Sequence, residues 1–274
     1  MDKWWVNGVE QDFLSLNDRG LAYGDGLFET IALRNGECRF LDEHLVRLQS
    51  SCRRLGIDGV DAELISRSLE QIKAGAVHAT IKIIVTRGPG PRGYRLPPRS
   101  VPSIIVGLEE SRPAARTAGV KVRYCATQIS RNPALAGLKT LNRLEQVIAR
   151  AEWAAPDIAE GLMSDDRGNV ICGTMSNLFV VSGGAVITPE LDQCGIRGIM
   201  RDKAIAATQD LDLELAERPL ARPELESAEE IFLTNSQIGI WPVLQLDDHK
   251  LSTGAITQLI MRRLAELGVQ ECAR

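Results

Sequence analysis

The stretch from Glu109 to Gly119 is polar, contains Pro113 and separates two strand-like segments. No other feature constrains the chain as strongly, because it divides the apolar sequence into two parts that must each close a core. The length agrees: 274 residues, set against a typical domain of about 150, give two domains. The expected division is a smaller N-terminal α/β domain over 1–112, a linker over 113–121 and a larger C-terminal domain over 122–274. A chain of this size can bury about three-quarters of its unfolded surface, so neither metal nor disulfides are needed for stability.

Within the first part, Trp4-Trp5-Val6 and the residues after Gly8 read as a hairpin turned by Asn7-Gly8. Leu45, Leu48, Cys52 and Leu55 recur at helical spacing over Asp42–Leu55, with Asp42 as the expected cap, and a second helix covers Ala62–Ala74. Ala79–Thr86 and Ser103–Gly107 are β-branched and apolar, as strands are. In the second part, Val120–Ala126 reads as a strand. A helix follows over Leu141–Ala154, with Leu144, Val147, Ile148 and Ala151 inward. Short strands around Leu162, Val170, Phe179 and Val186 come next, then a helix over Ile199–Gln209, a strand at Ile231-Phe232-Leu233 and a helix over Ser252–Leu267. Strands and helices mix without regular βαβ alternation, which points to an α+β or mixed α/β fold.

Composition removes several classes of function. With 44% apolar and 25% charged residues the chain is an ordinary globular protein. Lys plus Arg at 32 against Asp plus Glu at 36 gives −4, with no general attraction for nucleic acid or an anionic membrane. The six cysteines, at 38, 52, 125, 172, 194 and 272, form no CxxC pair, and three His complete a poor set for zinc. No stretch approaches a membrane span, and the start, Met1-Asp2-Lys3-Trp4-Trp5, has no apolar signal core. The expectation is a soluble cytoplasmic protein with reduced thiols.

Standard catalytic motifs are absent: there is no P-loop, no GxSxG and no strand-to-helix GxGxxG. What remains is a distributed set of polar residues at predicted element ends. The segment from Arg87 to Arg99 carries four Arg among Gly and Pro, and reads either as a solvated loop or as an anion-binding loop over a pocket. Gly195-Ile196-Arg197-Gly198 precedes a helix whose first N–H groups suit a phosphate, and Thr234-Asn235-Ser236 ends an apolar strand. Lys139 has apolar neighbours, and a desolvated Lys acquires the lowered pKa that Schiff-base chemistry uses. Asp25 reads by itself as part of a tight turn, and His44 as a surface residue.

In order along nearly the whole chain stand Asp18-Arg19-Gly20-Leu21-Ala22-Tyr23-Gly24-Asp25-Gly26-Leu27-Phe28-Glu29, His44-Leu45-Val46-Arg47-Leu48 and Arg92-Gly93-Tyr94. They are followed by the run from Asn132-Pro133 through Leu138-Lys139-Thr140-Leu141-Asn142-Arg143-Leu144-Glu145, then Gly173-Thr174-Met175-Ser176-Asn177-Leu178-Phe179, Gly198-Ile199-Met200-Arg201, Thr234-Asn235-Ser236 and Trp241-Pro242-Val243. Together these pieces resemble the fold-type IV pyridoxal-phosphate enzymes, and the 132–145 run resembles the aminodeoxychorismate lyases among them. The resemblance implies a two-domain fold, pyridoxal 5'-phosphate as cofactor, a homodimer, and conversion of 4-amino-4-deoxychorismate to 4-aminobenzoate and pyruvate. It implies that Lys139 holds the cofactor as an internal aldimine and shuttles the proton. Arg47, the N–H groups of Ile199 and Met200, and Asn235 with Ser236 are implied to bind the cofactor phosphate. Arg92, Tyr94 and Glu29 are the implied substrate contacts. Asn142 and Arg143 are further candidates for shaping the pocket.

One position departs from the family pattern. Where the family carries a Glu that keeps the pyridine nitrogen protonated, this chain has Cys172, and a thiol offers no dependable negative charge. That substitution harms transamination more than elimination into an aromatic product. Two alternatives therefore stand beside the lyase: a branched-chain or D-amino-acid aminotransferase of the same fold, and a cofactor-binding protein of weak catalysis.

Overall fold

The computed structural model describes residues 3–110 and 116–273. By contacts it divides into two compact units, Met1–Arg112 with Lys139–Asn142, and Pro113–Leu138 with Arg143–Arg274. The first unit thus includes four residues from beyond the break. Residues 113–115 of the expected linker lie outside the described residues, and residues 120 and 121 belong to a strand of the second unit rather than to a linker.

The first unit runs β1 (Lys3–Val6), β2 (Val9–Glu10), α1 (Arg19–Tyr23), β3 (Gly26–Arg34), β4 (Glu37–Cys38), α2 (Leu41–Leu55), α3 (Ala62–Ile72), β5 (His78–Thr86) and β6 (Ser103–Glu109). Its strands form one sheet in the order β2-β1-β6-β5-β3-β4, with neighbours antiparallel. Alternation along β3 and β5 puts Leu27, Ile31, Leu33, Ile81, Ile83 and Val85 in the core. Helix α2 packs on β3 and α3 on β6, so Leu48, Cys52, Ile65 and Leu69 meet that apolar face. Asp42 does not cap α2. The helix starts one residue earlier, after Phe40 in a left-handed conformation, and Asp42 stands in its first turn, where its charge still suits the helix dipole.

The second unit runs β7 (Val120–Tyr124), α4 (Leu144–Arg150), β8 (Ile158–Ser164), β9 (Val170–Gly173), β10 (Asn177–Ser182), β11 (Ala185–Thr188), α5 (Ile199–Asp210), β12 (Leu215–Glu217), α6 (Arg222–Glu226), β13 (Glu230–Asn235), β14 (Gly239–Leu246), β15 (His249–Lys250) and α7 (Ala255–Glu266). The sheet order is β12-β11-β10-β13-β14-β7-β8-β9, and β9 pairs again with β10 through Cys172 and Asn177. That last pairing closes β10, β13, β14, β7, β8 and β9 into a barrel. Val122, Leu162, Val170, Leu178, Val180, Ile231, Leu233 and Val243 form one core cluster from these strands.

Helix α4 corrects an expectation. It is shorter than the 141–154 span, and Leu144, Val147 and Ile148 are 70%, 62% and 51% exposed, while Ala149 is buried. The apolar stripe exists but faces outward in the single chain.

Phe179 and Phe232 are cross-strand partners with parallel rings 4.7 Å apart, both fully buried. Phe179→Ala should lower the stability of the second unit by about 3–5 kcal/mol, read from the shift of the denaturant midpoint.

Candidate active site

Lys139 reaches its place through backbone pairing. The Phe28 N–H donates to the Lys139 carbonyl at 2.9 Å, and the Leu141 N–H donates to the Gly26 carbonyl at 3.0 Å. Residues 139–141 therefore lie as a short antiparallel extension beside β3, with Leu27 opposite Thr140. The Lys139 amine is 4.2 Å from the centroid of the Phe28 ring, a cation–π distance, and Lys82 Nζ is 5.3 Å from the same ring. Neither Phe28 nor Lys82 stood out in the sequence as a candidate. The available signal was the strand period, which alternates Phe28 with Leu27 and Glu29.

Glu29, on the opposite side of that alternation, is buried. His44 Nδ1 lies 2.7 Å from Glu29 Oε2, and Arg47 grips the same carboxylate through Nε, at 2.8 Å, and Nη2. His44 and Arg47 are one helical turn apart on α2 and so reach one acceptor. His44 is thus a core residue rather than a surface one. Burial would push the Glu29 carboxyl up, but the hydrogen bonds from His44 and Arg47 outweigh it and hold Glu29 below the ordinary range. Burial pushes His44 down more strongly than Glu29 pulls it up. The resulting pair is a neutral imidazole donating to a carboxylate. Glu29 was expected to touch substrate. Its carboxylate is bonded to His44 and Arg47 and fixes the guanidinium.

The loop after β5 splits in two. Arg87 is buried, donating through Nε and Nη2 to Asp25 and through Nη1 and Nη2 to the Gly56 and Leu55 carbonyls. Arg19 donates to Asp25 as well, so Asp25 is an ion-pair centre and not only a turn residue. Arg92 and Tyr94 are exposed. Between them, Gly93 is fixed by Arg19 Nη1 on its carbonyl at 2.8 Å and by its own N–H donating to Tyr23 Oη at 2.7 Å.

In the second unit, α5 begins after Gly198 with no side-chain cap, leaving the first-turn N–H groups of Ile199 and Met200 without a capping side chain. Asn177 Nδ2 donates to the Ile196 carbonyl at 2.8 Å, and a Cβ at Gly198 would lie 2.2 Å from Asn177 Oδ1. Only glycine lets the chain enter α5 so close to that side chain. Asn235 accepts from the Gln237 and Ile238 N–H groups and donates to the Met175 carbonyl at 3.1 Å, with Ser236 in the same turn. Cys172 is buried in a cluster with Cys125, Trp153, Met163, Ile171 and Cys194. Burial pushes its thiol up to about 12, so it stands as a neutral thiol.

In the first unit Arg47 and Glu29 are paired, Lys139 stands against Phe28 of the same strand, and Arg92 and Tyr94 lie on the pinned loop. The second brings together the α5 start and the Asn235 turn. Residues 26–246 match the family described as Amino-transferase class IV. The chain belongs to this family. A Vibrio harveyi aminodeoxychorismate lyase is 34% identical over 250 residues, covering 88% of this chain and 90% of that one. A Methanocaldococcus jannaschii protein provisionally named a branched-chain-amino-acid aminotransferase is 33% identical over 282 residues, covering 97% and 96%. The crystal structure of 4-amino-4-deoxychorismate lyase from Pseudomonas aeruginosa is 44% identical, with a TM-score of 0.90 over 96% of this chain and 98% of that one. The fold-type IV architecture expected from the motifs is therefore present, as is the family's fold-wide mixture of helices and sheets.

The Glu29–His44 pair gives stability a definite pH sense. Both folded pKa values lie below the ordinary ones, 4.5 for Glu and 6.5 for His. Each group therefore stabilises the fold above its ordinary pKa and loses that contribution as pH falls. Thermal unfolding followed from pH 8 to pH 4 should show a midpoint that declines below 6.5 and again below 4.5. His44→Gln should remove the upper of the two declines, and a variant that keeps it would exclude His44 as its source.

Proposed function

We propose that the protein converts 4-amino-4-deoxychorismate to 4-aminobenzoate and pyruvate with pyridoxal 5'-phosphate, a step in making the folate precursor. The observation that carries this reading is the 44% identity to the Pseudomonas aeruginosa lyase over 96% of the chain. The Asn132–Glu145 run that holds Lys139 supports it further.

The donor set suits the cofactor. An anion needs directed N–H groups and a fixed cation, and the uncapped start of α5 and the carboxylate-held Arg47 supply these chemistries. Ile199, Met200, Asn235, Ser236 and Arg47 are the proposed phosphate ligands, and Lys139 the covalent anchor. When bound, pyridoxal phosphate withdraws electrons from the carbon that bears the substrate nitrogen. Once the substrate amine has displaced it, the freed Lys139 amine takes the proton from that carbon, the C–O bond to the enolpyruvyl group on the neighbouring carbon breaks, and Lys139 returns the proton to the departing enolpyruvate. The ring becomes aromatic, which drives the step. Arg92 is proposed to meet one substrate carboxylate, with Tyr94 beside it on the loop fixed at Gly93. Cys172 is proposed to stand toward the ring nitrogen and, as a neutral thiol, to give it no anionic partner. Such a site suits an elimination that ends in an aromatic ring better than a reversible amino transfer.

The exposed stripe of Leu144, Val147 and Ile148 on α4 supports a homodimer, since three large apolar side chains on one face lose free energy in water. No helix among the described residues is long and apolar enough to cross a membrane. All six cysteines are free thiols, which supports a cytoplasmic setting.

Purified, cofactor-loaded protein supplied with enzymatically generated substrate should release pyruvate and fluorescent 4-aminobenzoate in equal amounts. Lys139→Ala should reduce both by about a thousandfold or more. Release of neither by the unaltered protein sinks the lyase reading, and turnover of an amino acid with 2-oxoglutarate instead would favour the aminotransferase. Val147→Glu should shift the protein from dimer to monomer in sedimentation. An unshifted dimer would exclude α4 from the interface.

A further inference from the structure

Glu160, on β8, is a fully buried carboxylate on which five donors converge. Its Oε1 accepts from the Gly161 N–H at 2.9 Å, the Thr174 N–H at 3.1 Å and Thr174 Oγ1 at 2.5 Å. Its Oε2 accepts from the Met175 N–H at 3.1 Å and Ser176 Oγ at 2.9 Å. Four of these donors belong to the three residues that join β9 to β10. The approach is so close that a Cβ at Gly173 would lie 2.8 Å from the carboxylate and 2.2 Å from Ser176 Oγ, so this turn requires glycine.

A buried carboxylate is expensive unless its lone pairs are filled, and here hydrogen bonds to backbone and hydroxyl groups fill them. What the arrangement yields is one conformation of the 174–176 turn. That turn leads directly to the two segments assigned to phosphate binding in the second unit. The Met175 carbonyl accepts from Asn235 Nδ2, whose Oδ1 in turn shapes the 235–238 turn. The next residue after Ser176 is Asn177, which holds the Ile196 carbonyl and lies against Gly198 at the start of α5.

We infer that Glu160 is a positioning residue for the phosphate end of the cofactor: by holding the 174–176 turn it sets both the Asn235–Ser236 turn and the first N–H groups of α5. The inference rests on the reading that these two segments bind phosphate, and it requires no contact between Glu160 and any ligand. Glu160→Gln replaces one acceptor oxygen with an NH2 group, which then faces either the Thr174 and Gly161 N–H groups or the Met175 N–H. Backbone donors cannot rotate away, so the turn must shift.

The test compares pyridoxal 5'-phosphate with pyridoxal, which has the same ring and aldehyde without the phosphate, by spectroscopic titration of the purified full chain. Glu160→Gln should weaken pyridoxal 5'-phosphate binding by about tenfold or more while changing pyridoxal binding by less than about twofold. Ser176→Ala, which removes one donor and leaves the carboxylate, should show the same selectivity with a loss of about threefold. If Glu160→Gln does not fold, Ser176→Ala decides alone. Equal losses for the two ligands would reduce Glu160 to a general structural role, and unchanged binding of both would remove it from the site; either overturns the inference. Because binding is read without substrate, an unaltered protein that prefers the phosphorylated ligand here yet releases no pyruvate when given substrate would end the lyase reading and leave this one standing. An unaltered protein without that preference would overturn the inference at its base.

Discussion

The backbone pairing of residues 139–141 with β3 is the interaction on which the arrangement of the first unit's polar residues depends. Two hydrogen bonds, from Phe28 to Lys139 and from Leu141 to Gly26, fix the lysine's main chain against a strand that is itself paired along its length with β5. A strand offers alternate faces, and β3 uses both: Phe28 meets the Lys139 amine, and Glu29 turns to α2 and takes His44 and Arg47. A slip of one residue in this register would exchange those faces and bury the aromatic ring where the carboxylate now lies. The placement of the amine and the aim of the guanidinium therefore share one structural cause.

Much of this was legible in the sequence, and the division follows physical lines. Local signals worked where they act alone: the periodic apolar residues of α2, α3, α5 and α7, the β-branched runs of β5 and β6, and the Asn7-Gly8 turn all became the elements they suggested. Family motifs pointed to Lys139, Arg47 and the α5 start as the residues now proposed for the cofactor. What sequence period could not supply was the partner across space. Leu144, Val147 and Ile148 have helical spacing, but spacing states only that they share a face, not what covers it. His44 and Glu29 are fifteen residues apart, and their pairing requires the α2–β3 packing before either can be read as buried. Glu160 carried no signal at all, because four of its five donors lie in a turn fourteen to sixteen residues away.

Acids that are buried or half-buried have a common role in both units, though by different means. Asp25 holds two arginines, Glu29 holds an arginine and a histidine, and Glu160 holds only peptide N–H groups and hydroxyls. A carboxylate behind a cation weakens that cation's net field toward an anion, so Glu29 would be a poor device if Arg47 acted by charge alone. It is a good device if direction matters more: two bonds to one carboxylate fix the guanidinium plane. Glu160 carries the same logic further, since peptide N–H groups have no net charge to lose and only orientation to gain. The barrel closes at Cys172 and Asn177, beside the turn that Glu160 holds, so a shift there would be transmitted to the pairing that completes the barrel. Burying a carboxylate there costs desolvation, which the five hydrogen bonds offset, and what they select is a single conformation of the 174–176 turn.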